Sequence, residues 1–256
     1  MLVSRWALET FGQRAPLIRQ GVADALSVAL DNARDAQAAA RTDHTHPFGF
    51  TLMSRKFEAL AETFEDMGDV RVVKPAGSPH ELVVLGGKLL FPFRYARDRS
   101  VSVMSARIGE GRPSALVRAL FQRFGPEPVM RQLTLHDVAP QAAPEAEALA
   151  ELPPETGLVL IAYACNAHAG LLDAWWGEAE LLDRAGSLRW HHCEAIPLPA
   201  AGAAGLTPLP AAAFDQGAVP APALNPRTGA ARLVPPSAGE PAPVTPITRA
   251  EAASGE

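Results

Sequence analysis

The stretch GLVLIAYACNAHAGLLDAWWGEAELLDRAGSLRWHHCEAIPL, residues 157–198, decides the fold. It holds three of the four tryptophans, both cysteines and three of the seven histidines. Leu158 to Cys165 is an apolar run carrying the β-formers Val159, Ile161 and Tyr163, the pattern of a buried strand. Asn166 to Gly170 has turn chemistry. Leu172 to Leu182 reads as a second strand, in which Gly177 marks a bulge or a close backbone approach. Asp183 to Ser187 is a loop of hairpin length, and Leu188 to Ile196 returns as a third strand. The whole is a β-meander. Strict alternation puts Arg189, His191 and Cys193 on one face of the last strand, and Trp190, His192 and Glu194 on the other. Trp175, Trp176 and Trp190 are expected to supply much of the core here.

Working back to the N-terminus, the period changes from strand to helix. Residues 3–13 form a short helix closed by Gly12, and Pro16 suits the first turn of a longer one, 16–41. Ile18, Val22, Ala25, Ala29 and Ala36 recur at helical spacing, widened by Leu26 and Leu30, while Asp31, Arg34 and Asp35 take the polar side. Asp43 to Gly49 reads as a loop, with His44 and His46 exposed. Thr51 is placed to cap a third helix, 52–66, whose inner face is Leu52, the Lys56 stem, Phe57, Leu60 and Phe64.

A strand-rich segment follows. Val70 to Lys74 is a short strand, and 80–85 and 88–95 flank Gly86-Gly87, a two-residue hairpin signal. A tight turn there pairs Leu85 with Lys88 and gives Leu82, Val84, Leu89, Phe91 and Phe93 one apolar face. Pro92 marks an edge or a bulge. Ser114 caps a helix ending near Gly125, with Val117, Leu120, Phe121 and Phe124 inward. Residues 126–156 read as a connector with one short helix near 143–152. The last 60 residues hold 12 of the 24 prolines with abundant Ala and Gly, the composition of a disordered tail. The predicted architecture is therefore an α+β domain over 1–198, N-terminal helices packed on an antiparallel β-sheet, followed by a disordered Pro/Ala-rich tail, 199–256.

Composition narrows the function classes. No run approaches the roughly 20 apolar residues of a membrane span, so no membrane partner is expected. Arg5, Trp6 and Glu9 interrupt any secretory apolar core, and two cysteines do not make a disulfide framework, so a cytoplasmic location is expected. Residues 1–131 carry 18 Lys/Arg against 14 Asp/Glu, a balance of +4, and residues 132–256 carry 5 against 14, a balance of −9. That asymmetry suits an anionic partner for the first half. The densest basic run is Arg94, Arg97, Arg99, Arg107 and Arg112, and arginine makes bidentate contacts to phosphate. The alternative reading of the same run is a soluble sheet edge that resists pairing.

Catalytic signatures are sparse. There is no phosphate loop around Gly86-Gly-Lys88, no G-x-S-x-G, no H-E-x-x-H and no C-x-x-C. Cys165, His168, His191 and Cys193 have the ligand types of a zinc site, and meet only if their strands pair in register. Cys165 with His168 or His191 is also the pair a thiol hydrolase would need. The α–β–β–β–α–β order of residues 51–165 resembles the core of the PD-(D/E)xK nucleases. That resemblance implies a Mg²⁺ site, for which Asp69 and Glu81 are the acids at hand. The family's acid-x-Lys on the central strand is absent, and Glu81 and Lys88 sit at opposite ends of the hairpin. Separately, PLIRQGVADALSVALDNARDAQ (16–37) and WGEAELLDRAGSLRWHHCEAIP (176–197) resemble an actinobacterial protein family with no activity attached, over about 1–197. It carries over no catalytic residue.

The sequence thus leads to a non-catalytic regulatory or interaction protein without a cofactor. Its partner is a protein, or nucleic acid held through the Arg94–Arg112 run. The alternatives are a divergent metal-dependent nuclease and a zinc or thiol hydrolase.

Overall fold

Four helices and six strands follow one another in the computed structural model, which describes residues 2–75, 78–127 and 149–198. The short helix near 143–152 falls mostly outside the described residues, and the proposed tail, 199–256, falls wholly outside them. Helix α1 is Arg5–Phe11. It is capped by Ser4 Oγ, which accepts from the Ala7 amide at 3.2 Å, and is turned by Gly12 at φ +62°. Helix α2, Ala15–Ala40, has its proline in the first turn. Its buried stripe runs through Ile18, Val22, Ala25, Leu26, Ala29 and Leu30.

Helix α3, His46–Phe64, begins a turn and a half before Thr51, where its start was expected. The reason is tertiary. Gln37 of α2 donates through Nε2 to the carbonyls of Thr42 and His44, both at 2.9 Å, and its Oε1 accepts from the Phe48 amide at 3.2 Å. A side chain from the preceding helix thus holds the α2–α3 loop and satisfies an orphan amide of the new helix. Phe48 is buried beneath it. The two helices approach closely at Gly21, where a Cβ would lie 2.7 Å from the Phe64 ring.

The strands are β1 Val70–Val73, β2 Leu82–Leu85, β3 Lys88–Ala96, β4 Gly157–Asn166, β5 Gly170–Leu181 and β6 Leu188–Ala195, lying in that order across one sheet. The sheet is mostly antiparallel, as expected. β3 and β4 are the exception: they run parallel, in register from Lys88↔Gly157 to Ala96↔Ala164. The crossover between them carries helix α4, Ala115–Phe124. The Gly86-Gly87 hairpin forms as read, with Leu85 opposite Lys88. Pro92 lies beyond the end of the β2–β3 register at Leu90, where its missing amide costs no ladder bond.

Each sheet face has its own core. Val83, Leu85, Leu90, Val159, Ile161, Tyr163, Cys165 and Trp176 face α1–α3. Leu82, Val84, Leu89, Phe91, Phe93, Leu158 and Leu160 face α4, with Leu149 and Leu152 completing that layer. Trp176 is fully buried, stacked on Phe11 at 5.2 Å and edge-on to Trp6 at 5.6 Å.

The alternation expected for β6 is broken by a bulge. Glu178 pairs with His192 but Ala179 with Trp190, leaving His191 unpaired. Trp190 therefore joins Cys193 on the α4 face, against expectation, and its Nε1 donates to the Val103 carbonyl at 3.0 Å. Gly177 lies beside the bulge, and a Cβ there would strike the His192 carbonyl, so its lack of a side chain is required by close approach.

Candidate functional site

The parallel pair defines the site. β3 and β4 end on the same side of the sheet, at Arg94–Ala96 and Ala164–Asn166. In open sheets with parallel strands, ligands gather outside the strands' carboxyl ends, where connections diverge. Two adjoining clefts of about 310 Å³ each open there. The first lies between the start of α3 (His46, Gly49, Phe50 and Met53) and the strand ends (Arg94, Arg97, Cys165 and Asn166). The second is lined by Tyr95, Val101, Ser105, Arg107 and Glu110, and shares Arg94 and Arg97 with the first.

Local structure holds these side chains in place. The β3–β4 register slips between Arg94 and Ala96, so Tyr95 is the extra residue and the chain turns at the cleft mouth. Asn166 Nδ2 donates to the Arg97 carbonyl at 3.0 Å, while its Oδ1 accepts from the His168 and Ala169 amides at 3.0 and 2.7 Å. One side chain therefore ties the exit of β3 to the β4–β5 turn. Arg94 is half-buried and pairs with Glu110 at 3.2 Å. Glu110 reaches it from a left-handed backbone position, φ +51°.

The first cleft has an apolar and aromatic lip. Phe50 is 69% exposed and Met53 49%. The His46 ring stands 6.4 Å from Phe50 and stacks on His44 at 5.7 Å. His44 and His46 thus serve as neighbouring flat surfaces. Lys56 follows Met53 by one helical turn but does not line the cleft, and its amine lies 5.0 Å from the centre of the Phe57 ring. Burial, aided by the charge of Arg94 and opposed by Cys165, pushes the Lys56 ammonium down to about 8. Burial also pushes the Cys165 thiol up to about 11, against the charge of Arg94, so it is protonated at neutral pH.

Of the five arginines proposed for nucleic acid, three come together. Arg94, Arg97 and Arg107 line the clefts. Among the described residues, Arg97 and Arg107 take part in no ion pair. Arg99 is instead occupied by Asp173 at 3.4 Å and the Leu172 carbonyl at 2.9 Å, and Arg112 is exposed and lines neither cleft. Sequence reading overlooked Phe50, Met53 and Asn166. Phe50 and Met53 were legible as apolar residues off the buried stripe of α3; Asn166 carried no signal beyond turn chemistry.

The proposed zinc ligands do not converge. Cys165 is buried on the α1–α3 face and His168 is exposed in the β4–β5 turn. Cys193 packs toward the opposite face, with β5 between it and Cys165. Their register partners, Leu171 and Gly177, are six residues apart on β5, roughly 20 Å along the strand. His191 sits in the β6 bulge, 3.9 Å from Glu180. Zinc ligands must all lie near 2 Å from one ion, and no group of three or more His, Cys, Asp or Glu among the described residues is arranged to hold a metal. Asp69 and Glu81 also stay apart. They flank opposite ends of the β1–β2 ladder, about 17 Å from each other by strand rise. Asp69 is engaged by both arms of Arg14 at 2.5 Å, whose hydrogen bonds hold its carboxyl below the usual range.

No helix is long and apolar enough to cross a membrane among the described residues. No protein-family model, curated protein or solved structure matches the chain.

Proposed function

We propose that this chain is a non-catalytic interaction protein that binds single-stranded nucleic acid across the two clefts at the carboxyl ends of β3 and β4. The observation that carries the reading is the sharing of Arg94 and Arg97 between clefts, with Arg107 beyond them and no ion pair on Arg97 or Arg107 among the described residues. Sequence-tolerant binding of single strands combines a cationic track for the backbone with rings on which bases stack. Here the track is Arg107–Arg97–Arg94 and the rings are Phe50 and His46. The net balance of +4 over residues 1–131 agrees with this placement.

The dispersal of Cys165, His168, His191 and Cys193, and of Asp69 and Glu81, favours binding over either enzymatic reading. The test is fluorescence anisotropy of the full chain with labelled single-stranded DNA, single-stranded RNA and duplex. It is run over a salt series with and without Mg²⁺, with strand integrity checked on a gel. Single-strand binding that weakens steeply with salt, and weakens further in the Arg97→Ala/Arg107→Ala double variant, is expected. Absence of binding at low salt would overturn the reading, and Mg²⁺-dependent cleavage would replace it with the nuclease.

A further inference from the structure

The first cleft suits a base better than a stretch of backbone. At about 310 Å³ it lies at the small end of organic-ligand pockets, which run from roughly 300 Å³ upward. Phe50 and Met53 border it with exposed apolar surface. Its polar chemistry is one-sided. The Phe48 and Gly49 amides at the start of α3 are already taken, by Gln37 Oε1 at 3.2 Å and the Thr45 carbonyl at 3.1 Å. Asn166 Oδ1 accepts twice, and the Arg97 carbonyl is occupied by Asn166 Nδ2. The charged groups of the wall, Arg94 and Arg97, can only donate. Thr45 and His46 can donate or accept, so the balance of the cleft is toward donors. Arg94 is held for this task. Its Nη2 donates to Glu110 Oε1 at 3.2 Å, from the side of the second cleft. Glu110 reaches it from φ +51°, between Gly109 at +67° and Gly111 at +86°. A glutamate in that region is strained, and here the strained turn sets a carboxylate on the guanidinium. Arg94 borders both clefts, so the N–H groups that Glu110 does not take remain for the first.

We propose that the first cleft takes a guanine base of the bound strand, with Arg94 forked onto its O6 and N7 and Phe50 stacked on its rings. This rests on the strand-binding reading above and adds a base preference to it: Arg97 and Arg107 stay on the backbone, and Arg94 turns to the base. Guanine presents two neighbouring acceptors, O6 and N7, on one edge, and a guanidinium meets both with a pair of N–H bonds. Adenine places an amine donor beside its N7, which sets donor against donor at Arg94. A pyrimidine offers one ring rather than two to Phe50 and Met53, and so stacks over less surface. Phe50, 69% exposed at the cleft mouth, is free to take that stack.

A free guanine nucleotide presents the same edge, so the experiment separates the sources. Binding of the full chain is measured for an all-thymine oligonucleotide and for the same strand with one central guanine, hypoxanthine, 7-deazaguanine, adenine or cytosine. Guanosine and adenosine monophosphate serve as competitors and are also titrated directly. The guanine strand is expected to bind about tenfold more tightly than the all-thymine strand, equivalent to roughly 1.4 kcal/mol. Hypoxanthine keeps O6 and N7 and should retain that preference, whereas 7-deazaguanine lacks N7 and should lose most of it. Arg94→Lys keeps the charge but not the fork and should erase the preference. Equal affinity for all the strands overturns the guanine pocket and leaves the strand-binding reading standing. Adenine or cytosine bound as tightly as guanine overturns it too, as does a preference that survives 7-deazaguanine or Arg94→Lys. Guanosine monophosphate that competes as well as the guanine strand overturns the strand assignment and makes the ligand a free guanine nucleotide. If no strand binds but guanosine monophosphate does and adenosine monophosphate does not, the strand-binding reading falls and the guanine pocket stands.

Discussion

Arg19 of α2 donates to Glu194 of β6 at 2.6 Å, bringing together residues 175 positions apart in a place where both side chains are about nine-tenths enclosed. Ser4 Oγ, the cap of α1, donates to the other carboxylate oxygen at 2.5 Å. One acidic residue on the last strand thus fastens α1 and α2 to the sheet edge. Removing one partner of such a pair strands a charge away from water. Glu194→Ala is expected to cost about 3–5 kcal/mol in urea unfolding. The Arg19→Met/Glu194→Leu double variant should recover much of that loss, and a double variant as unstable as the single would show that packing rather than charge governs the site.

Gly177 leaves room for the His192 carbonyl at the β6 bulge. Gly177→Ala forces β5 and β6 apart where Trp176 and Trp190 enter opposite cores. An overpacking cost of about 1–3 kcal/mol is expected, visible as a lower urea midpoint. An unchanged midpoint would mean that the strands separate freely.

Lys56 links stability to pH in a direction opposite to the usual ion pair. Its folded value is about 8 against an ordinary 10.5. Between those values the unfolded chain binds more protons than the folded one, so stability rises with pH over that window. Below pH 8 both states are protonated and the penalty is present in full. Denaturant unfolding of the wild type should therefore gain stability from pH 8 toward 10, and Lys56→Met should flatten that rise and be the more stable protein at pH 7.

The two thiols should be slow. Burial raises Cys165 and Cys193 to about 11 each, which leaves little thiolate at pH 8. Titration with a disulfide reagent should show both reacting at least about tenfold faster in guanidinium than in the folded protein, since the thiolate is the reactive form. A fast native phase at Cys165 would revive the thiol-hydrolase reading.

Salt dependence offers a separate measure of the strand site. Each phosphate contact to a single strand contributes about 0.7 to the slope of log affinity against log salt. Arg97→Ala and Arg107→Ala should each lower the slope by about that amount, and Arg112→Ala, outside both clefts, should leave it unchanged.

The elements themselves were legible because each rests on local rules. The helix periods of α2 and α4, the Gly86-Gly87 hairpin and the meander 157–195 follow from spacing, turn residues and β-propensity, and they formed close to the expected bounds. The early start of α3 was not legible, because Gln37 makes the cap from another helix. The β6 bulge was not legible either: one unpaired residue, His191, reverses the face of Trp190, and nothing in the alternation marks it.

The site divides in the same way. The amino-acid sequence by itself determined which residue types are present: an arginine-rich run after β3, few lysines, two cysteines and no recognised catalytic spacing. Only the tertiary structure decided which of them meet. The parallel placement of β4 beside β3 joins strand ends some 70 residues apart, sets Arg94 and Arg97 against Phe50 and Met53, and keeps Cys165 and Cys193 on opposite faces. The physical reason is that strand pairing is chosen by burial of whole faces. Trp176, Tyr163 and the α2 stripe must share one core, and the positions of the charged side chains at the strand ends follow from that packing.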